Sequence, residues 1–217
     1  MSAHAGSRPV AASIPTSTPA STAAPALAFA TAFALVATLA AALLVASPAR
    51  AAEVAGIEIA DRARVGGETL ALRGAGIRKR LFLKLYVAAL YGGEDGASGA
   101  EIAAADAPMM IRIAIRSDLV TRDKMIDALN DGFAKSTGGD TAPVQDGIDE
   151  ALAGLPDALG AGDVIDIVYA PDTGTVMARE GEVLATVEGL PFKEALFGIW
   201  LADAPVQADL KEAMLGG

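Results

Sequence analysis

Hydrophobic and polar residues alternate along the longest patterned stretch of the chain, from Ile77 to Tyr91. The odd positions from Leu81 onward form a continuous apolar series. The even positions carry cations and an aromatic hydroxyl: Arg78, Arg80, Lys84 and Tyr86. Because the side chains of a strand point alternately to its two faces, this pattern predicts one long strand with its odd face in the core.

Shorter alternating stretches predict the remaining strands of a sheet. They are Val54 to Ile59, Glu68 to Leu72, Met109 to Arg116, Val164 to Tyr169, Thr175 to Ala178 and Val183 to Val187. The turn-prone Val65-Gly66-Gly67 separates the first two stretches, so we expect them to pair as a hairpin.

Apolar residues at helical spacing predict four helices. The first contains Met125, Ile126, Leu129 and Phe133, with Thr121 as its cap and Gly138-Gly139 at its end. The second ends near Pro156, and two more cover Pro191 to Leu201 and Val206 to Leu215. The order of strands and helices predicts an α+β domain, in which helices cover one side of a largely antiparallel sheet.

The amino-terminal segment differs in composition from the rest. Residues 9 to 49 contain no charge, and an apolar run from Ala26 to Ala46 precedes Ala49-Arg50-Ala51. This order is typical of an export signal with a small-x-small cleavage site. We therefore expect residues 1–51 to be a signal peptide with a long leading region, and residues 52–217 to be a periplasmic domain.

The alternative is an uncleaved signal that anchors the protein to the inner membrane, since about 20 apolar residues can span a bilayer. Pro48, which lies beside the cleavage site, and the high alanine content of the run favour cleavage.

Composition excludes several kinds of chemistry. Of all residues, 53% are hydrophobic and 20% charged, as in a globular protein with a core. Beyond the signal, 15 basic residues stand against 27 acidic ones, a formal charge of −12 that argues against nonspecific binding to nucleic acid or anionic lipid surfaces. The chain has no cysteine, and its one histidine is His4. We expect neither a metal nor a cofactor, and no protein partner is indicated.

The mixed face of the long stretch is the remaining candidate site. Its cations and hydroxyl could hold a carboxylate or phenolate, because the guanidinium group binds carboxylate oxygens bidentately. An ordinary solvated strand face is the alternative. In one straight strand Arg78 and Tyr86 would lie about 26 Å apart. A shared site therefore requires a turn or strong bend near Arg78 to Leu81.

Two segments carry a family resemblance. Gly74-Ala75-Gly76-Ile77-Arg78, followed by Phe82 to Tyr91, resembles the chalcone isomerase superfamily, and most closely its bacterial exported, chalcone isomerase-like branch. Phe192 to Leu201, followed by Pro205 and Asp209-Leu210-Lys211, is similar to the family's closing helices. The resemblance covers roughly Val54 to Leu215 and implies an open-faced β-sandwich, in which helices layer a large antiparallel sheet.

The resemblance also implies roles for individual residues. Arg78 stands where the isomerases bind the anionic oxygen of their substrate, and Tyr86 where they have a threonine. Thr121 falls near their catalytic-site tyrosine, Ala128 near an asparagine, and Ile199 near a second threonine or serine. Only the arginine is retained. This implies the noncatalytic branch, which binds a fatty acid or similar amphipathic carboxylate in an apolar cleft.

In this interpretation Arg78 and Tyr86 bind the ligand, and Arg80, Lys84 and Thr121 are further candidates. Two other function classes stay open. One is an isomerase or lyase-type enzyme that acts on a phenolic or enone substrate. The other is an envelope interaction module without a small ligand.

Overall fold

A computed structural model describes residues 52–217. The expected signal peptide, residues 1–51, lies outside the described residues. The described elements belong to one compact unit with a core of its own, the property that lets a domain fold alone. None of the helices described within residues 52–217 has the length and hydrophobicity of a membrane span.

Nine strands and five α-helices make up this unit. The strands are β1 (Ala52–Val54), β2 (Ile57–Ile59), β3 (Arg62–Val65), β4 (Glu68–Arg80), β5 (Leu83–Gly92), β6 (Met109–Ile115), β7 (Val164–Ala170), β8 (Gly174–Arg179) and β9 (Glu182–Val187). The helices are α1 (Gly99–Ala104), α2 (Arg122–Ser136), α3 (Gln145–Ala153), α4 (Leu190–Leu201) and α5 (Ala208–Met214), and a 3₁₀ turn covers Ala142–Val144.

Strands β3 to β9 form one seven-stranded antiparallel sheet in chain order, and β1 pairs with β2 in a separate hairpin. The helices pack on one face of this sheet and enclose the main core. The α+β prediction is therefore confirmed.

Both faces of β5 are buried, although the sequence predicted only one apolar core face. Tyr86, Ala88 and Leu90 point into the main core beneath the helices. Val87, Ala89 and Tyr91 point into a second, smaller core that includes Ile59 and Val65 from the first strands. The predicted contrast between a core face and a mixed face is wrong, because Leu81 and Leu83 of the expected core face are exposed while Tyr86, Ala88 and Leu90 of the expected mixed face are buried.

The prediction of one long strand from Ile77 to Tyr91 is wrong. The chain reverses at Leu81-Phe82, so that β4 and β5 are the two arms of an antiparallel hairpin. Leu81 adopts a φ of +56°, a conformation that turns usually reserve for glycine or asparagine. Because apolar alternation continues through Leu81-Phe82, the hydrophobic pattern does not indicate a turn there.

The prediction that Val54 to Ile59 pairs with Glu68 to Leu72 as a hairpin is also wrong. Gly66-Gly67 does form a turn, but it joins β4 to β3. The stretch from Val54 to Ile59 folds back on itself at Ala55-Gly56.

The sequence did not predict α1, which is six residues long. The strands from β6 onward and helices α2 to α5 agree with the predictions, including the Thr121 cap.

Helix α5 lies directly on the backbone of β4. A Cβ atom at Gly76 would stand 2.7 Å from the Ala213 Cβ and 3.0 Å from the Leu210 Cδ1. A Cβ atom at Gly74 would meet the Ala213 carbonyl oxygen. The two glycines therefore permit a close approach of helix to strand. A register shift between Leu72 and Gly74 interrupts the strand ladder at the same place.

Candidate ligand-binding cleft

Arg78 and Tyr86 are direct partners across the β4–β5 hairpin. They are eight residues apart in sequence, and the turn at Leu81-Phe82 folds one strand back so that they stand opposite each other. Partners of this kind have Cα atoms about 4.5 to 5.5 Å apart. The requirement for a turn that joins the two residues in one site is therefore met, slightly later in the chain than expected.

A second irregularity in β5 gathers apolar side chains beside this pair. Arg78 is paired with Tyr86, whereas the next residue, Lys79, is paired with Lys84. Leu85 is therefore the extra residue of a β-bulge, which breaks the alternation of the strand. As a result Leu83, Leu85 and Tyr86 all line one cleft, although a regular strand would divide them between two faces.

The cleft has a volume of about 250 Å³, close to the lower end of small-molecule sites. The hairpin, α2 and α4 supply most of its walls. Its apolar and aromatic lining is Leu83, Leu85, Tyr86, Leu119, Val120, Met125, Ala128, Leu129, Ile199, Trp200 and Val206. Three cations, Arg78, Arg80 and Lys124, complete it, and no carboxylate is among the described lining residues. The cleft thus suits an apolar ligand with a negative charge.

The hydroxyl of Tyr86 is buried within the wall of the cleft. Its oxygen accepts a hydrogen bond from Trp200 Nε1 at 3.0 Å. Burial raises the pKa of Tyr86, while the bond from Trp200 and the charge of Arg78 act in the opposite direction. The phenol therefore stays protonated at neutral pH. Since the Trp200 bond uses only an acceptor lone pair, the hydroxyl proton remains available to a ligand.

Gln207, at the start of α5, holds Arg78 in place. Arg78 Nη1 donates to Gln207 Oε1 at 3.2 Å and to the Lys79 carbonyl at 2.8 Å. Gln207 also accepts from the Lys79 backbone N–H and donates to the Ile77 carbonyl. One amide side chain therefore fixes the end of β4 and orients the guanidinium group. The other N–H groups of Arg78 can turn to an anion.

The other candidates from the sequence fall in different places. Arg80 lines the cleft. Lys84 is exposed and lies across from Lys79, outside the cleft lining. Thr121 caps α2, where its hydroxyl accepts from the Lys124 backbone N–H. Ala128 and Ile199, at the positions where the resemblance implies polar catalytic groups, both line the cleft with apolar side chains.

Sequence reasoning missed three residues of the site: Lys124, Trp200 and Gln207. Lys124 lies one helical turn before Ala128 and faces the same cleft, a spacing that could have indicated it. Trp200 is a buried residue of the predicted helix from Pro191 to Leu201, and its bond to Tyr86 has no sequence signal. Gln207 stands 129 residues from Arg78, so only the tertiary fold joins them.

A buried lysine outside the cleft is a further titratable group. Lys193 Nζ donates to the carbonyls of Ile102, Ala103 and Ala105 at 2.6 to 3.0 Å, and so caps the end of α1. Burial lowers its pKa to about 8, while Glu194 and Asp106 act in the opposite direction. Among residues 52–217, no group of acidic or histidine side chains could hold a metal ion.

Together, the helix-covered antiparallel sheet and the cation-lined apolar cleft define an open-faced β-sandwich protein with a candidate ligand-binding cleft. The chain belongs to the chalcone isomerase-like family, whose model matches residues 51–216. The predicted family is thereby confirmed.

The structure is similar to the crystal structure of a fatty-acid binding protein from Arabidopsis thaliana. The TM-score is 0.60 at 15% sequence identity, and the match covers 76% of this chain and 96% of the plant chain. A likeness at this identity shows a common fold, and it confirms the predicted fold class. A comparison with curated protein sequences gives no significant match.

Proposed function

We propose that this protein is an exported, noncatalytic member of its family that binds a fatty acid or a similar amphipathic carboxylate. The apolar cleft takes the acyl chain. Arg78 anchors the carboxylate through its guanidinium group, and the Tyr86 hydroxyl donates a second hydrogen bond to it.

The pairing of Arg78 with Tyr86 at the wall of an apolar cleft carries this proposal. A carboxylate needs several donors when it leaves water, because an unpaired buried charge is strongly unfavourable. A guanidinium group and a protonated phenol side by side provide them. The absence of carboxylates among the described lining residues removes the repulsion that an acidic ligand would otherwise meet.

The plant neighbour, a fatty-acid binding protein, supports the proposed ligand class. Export is inferred from the apolar run that ends at Ala49-Arg50-Ala51. Terminal sequencing of the exported protein should give Ala52 as the first residue. Recovery of the intact run in the membrane fraction would contradict cleavage.

The apolar side chains of Ala128 and Ile199 favour binding over turnover. Ring closure of a phenolic enone needs polar groups that orient the substrate and stabilise developing charge. Arg78 alone is a weak basis for such chemistry. Chalcone cyclisation in the presence of the protein should therefore stay near its spontaneous rate. Saturable turnover that Arg78→Ala abolishes would overturn the noncatalytic assignment.

A titration with saturated fatty acids and their methyl esters tests the proposal directly. Trp200 is the only tryptophan of the chain and lines the cleft, so its fluorescence reports occupancy. The ester keeps the acyl chain but loses the negative charge. We expect the acid to bind at least about tenfold more tightly, as for one lost charge-assisted hydrogen bond. Equal affinity for acid and ester would show that Arg78 is no carboxylate anchor.

A further inference from the structure

The end of the β4–β5 hairpin projects apolar side chains into solvent. We define the hairpin tip as residues Lys79 to Lys84, Lys-Arg-Leu-Phe-Leu-Lys. Leu81 is 88% exposed and Phe82 is 87% exposed. Adjacent leucine and phenylalanine side chains in full contact with water are unfavourable, and the core offers them no contact in this position.

The hairpin tip is also strongly basic within an acidic protein. Lys79, Arg80 and Lys84 lie within six residues, and no acidic residue occurs between Glu68 and Glu94. The domain nevertheless carries a formal charge of −12, so its cations are concentrated where its acids are absent. Net charge alone argued against an anionic surface as a partner. Along the β4–β5 hairpin, whose cations have no acidic neighbours in sequence, that argument does not apply.

Two features of the hairpin tip oppose the stability of the free protein. Leu81 occupies a left-handed conformation, φ +56°, in which a branched side chain is disfavoured. Lys79 and Lys84 are direct cross-strand partners, so two like charges face each other. Asparagine or glycine at the turn would remove the first problem. A partner with an apolar layer beneath an anionic surface would offset the free-energy cost of both features.

The hairpin tip adjoins the mouth of the cleft. Arg80 and Leu83 belong to the tip and also line the cleft. Leu119, on the loop before α2, lines the same cleft and is 47% exposed. A surface that receives Leu81 and Phe82 would therefore lie directly against the opening through which a ligand passes.

We propose that the hairpin tip docks on an anionic lipid bilayer, with Leu81 and Phe82 in the interfacial layer and the three cations at the headgroups. Interfacial binding requires only a few apolar side chains flanked by lysine or arginine. A stable protein interface needs about 800 Å² on each partner, more than a convex tip of six residues provides. The proposal concerns a surface and does not depend on which ligand occupies the cleft.

Flotation of residues 52–217 with lipid vesicles tests the docking. This unit has a core of its own, and its use avoids vesicle binding by the apolar run at 26 to 46. We expect binding to vesicles that contain phosphatidylglycerol, little binding to phosphatidylcholine alone, and release at high salt. Lys79→Gln with Lys84→Gln should weaken binding about 25-fold, since each cation near an anionic surface contributes roughly fivefold.

Leu81→Asn with Phe82→Ser should weaken vesicle binding about tenfold or more, because both insertion groups are lost. Leu81→Asn alone should raise the melting temperature by roughly 2 to 4 °C, as it relieves the left-handed leucine. The matched control is Val183→Ser. Val183 is 60% exposed beside another hairpin turn, but its neighbours are Glu180 and Glu182.

Val183→Ser should leave vesicle binding unchanged. Two results would overturn the proposal. The first is equal binding of the native unit and of the Leu81→Asn, Phe82→Ser variant. The second has two parts: the native unit fails to bind anionic vesicles, and the same double substitution converts a dimer to monomers in sedimentation experiments. That second result would assign the hairpin tip to a contact between copies of the chain.

Discussion

Trp200 and Tyr86 form a buried hydrogen bond of 3.0 Å between the indole N–H and the phenol oxygen. Trp200 is only 2% exposed, so its N–H has no access to bulk water. The same phenol oxygen stands beside Arg78 in the cleft wall. A single hydroxyl therefore links the core of α4 to the candidate anion site, and its loss affects both stability and binding.

Tyr86→Phe should destabilise the protein by about 1 to 3 kcal/mol, because it leaves the buried indole N–H without an acceptor. Denaturant unfolding followed by circular dichroism measures this change. In a Trp200→Phe background there is no N–H to satisfy, so the same substitution should have a much smaller effect. Equal effects in the two backgrounds would mean that the hydrogen bond contributes nothing to stability.

Arg78→Ala should weaken fatty-acid binding roughly tenfold to a hundredfold, since a charge-assisted hydrogen bond contributes about 1.5 to 3 kcal/mol. Calorimetric titration gives the dissociation constants. Arg64→Ala is the matched control, because Arg64 is an exposed arginine on β3 away from the cleft. Gln207→Ala should have a smaller effect, as it removes only a group that orients Arg78. A similar loss from Arg64→Ala would indicate a general charge effect.

The three tyrosines should all lose their hydroxyl protons at a higher pH than tyrosines in the unfolded chain. Burial raises the pKa of Tyr86 and Tyr91, and burial together with the 2.6 Å hydrogen bond to Asp106 raises that of Tyr169 to about 12. A raised pKa means that the unfolded chain loses its tyrosine protons first. The contribution of Tyr169 to stability is therefore complete below about pH 10 and is lost as the pH approaches 12.

Tyrosinate absorbance should thus rise at higher pH in the native protein than in guanidinium-unfolded protein, and Tyr169→Phe should remove the step near pH 12. Coincident titration curves for native and unfolded protein would contradict the burial of these hydroxyls.

Much of the sheet and most helices followed from the sequence because their turns contain glycine, proline or aspartate. Gly138-Gly139, Pro171 to Gly174 and Glu180-Gly181 each end an element where the pattern predicted. The turn at Leu81-Phe82 has no such residue, and its apolar side chains continue the alternation of the flanking strands. A turn made of residues that disfavour turns cannot be read from local propensity.

The candidate site was predictable only in part for the same reason. The residue types of Arg78 and Tyr86 indicated an anion site, and the hairpin that joins them did not show in the pattern. The bulge at Leu85 likewise depends on pairing with β4, so the shared lining of Leu83, Leu85 and Tyr86 followed from no periodic rule. The contacts that α4 and α5 make with this site join segments far apart in sequence, so no local pattern predicts them.

Lys193→Met should destabilise the protein by about 2 to 4 kcal/mol. The methionine fills a similar volume but leaves the carbonyls at the end of α1 without a donor. Lys135→Met on the exposed face of α2 is the control and should change stability little. Denaturant unfolding compares the two. A change no larger than that of the control would show that water replaces the lysine at α1.

Gly76→Ala should lower both stability and fatty-acid affinity, because the new methyl group would stand 2.7 Å from the Ala213 Cβ and must displace α5. The shift would carry Gln207 away from Arg78 and so disturb the anion site. We expect a loss of about 1 to 3 kcal/mol in stability, as for other overpacked cores. Gly160→Ala is the control, since its Cβ would lie 3.4 Å from the Asp118 carboxylate, an ordinary contact. Thermal unfolding and titration with one fatty acid measure the two effects on the same samples. If Gly76→Ala lowered stability but left affinity at the native value, the position of α5 would have no influence on Arg78, and Gln207 would serve only to join β4 to the helix.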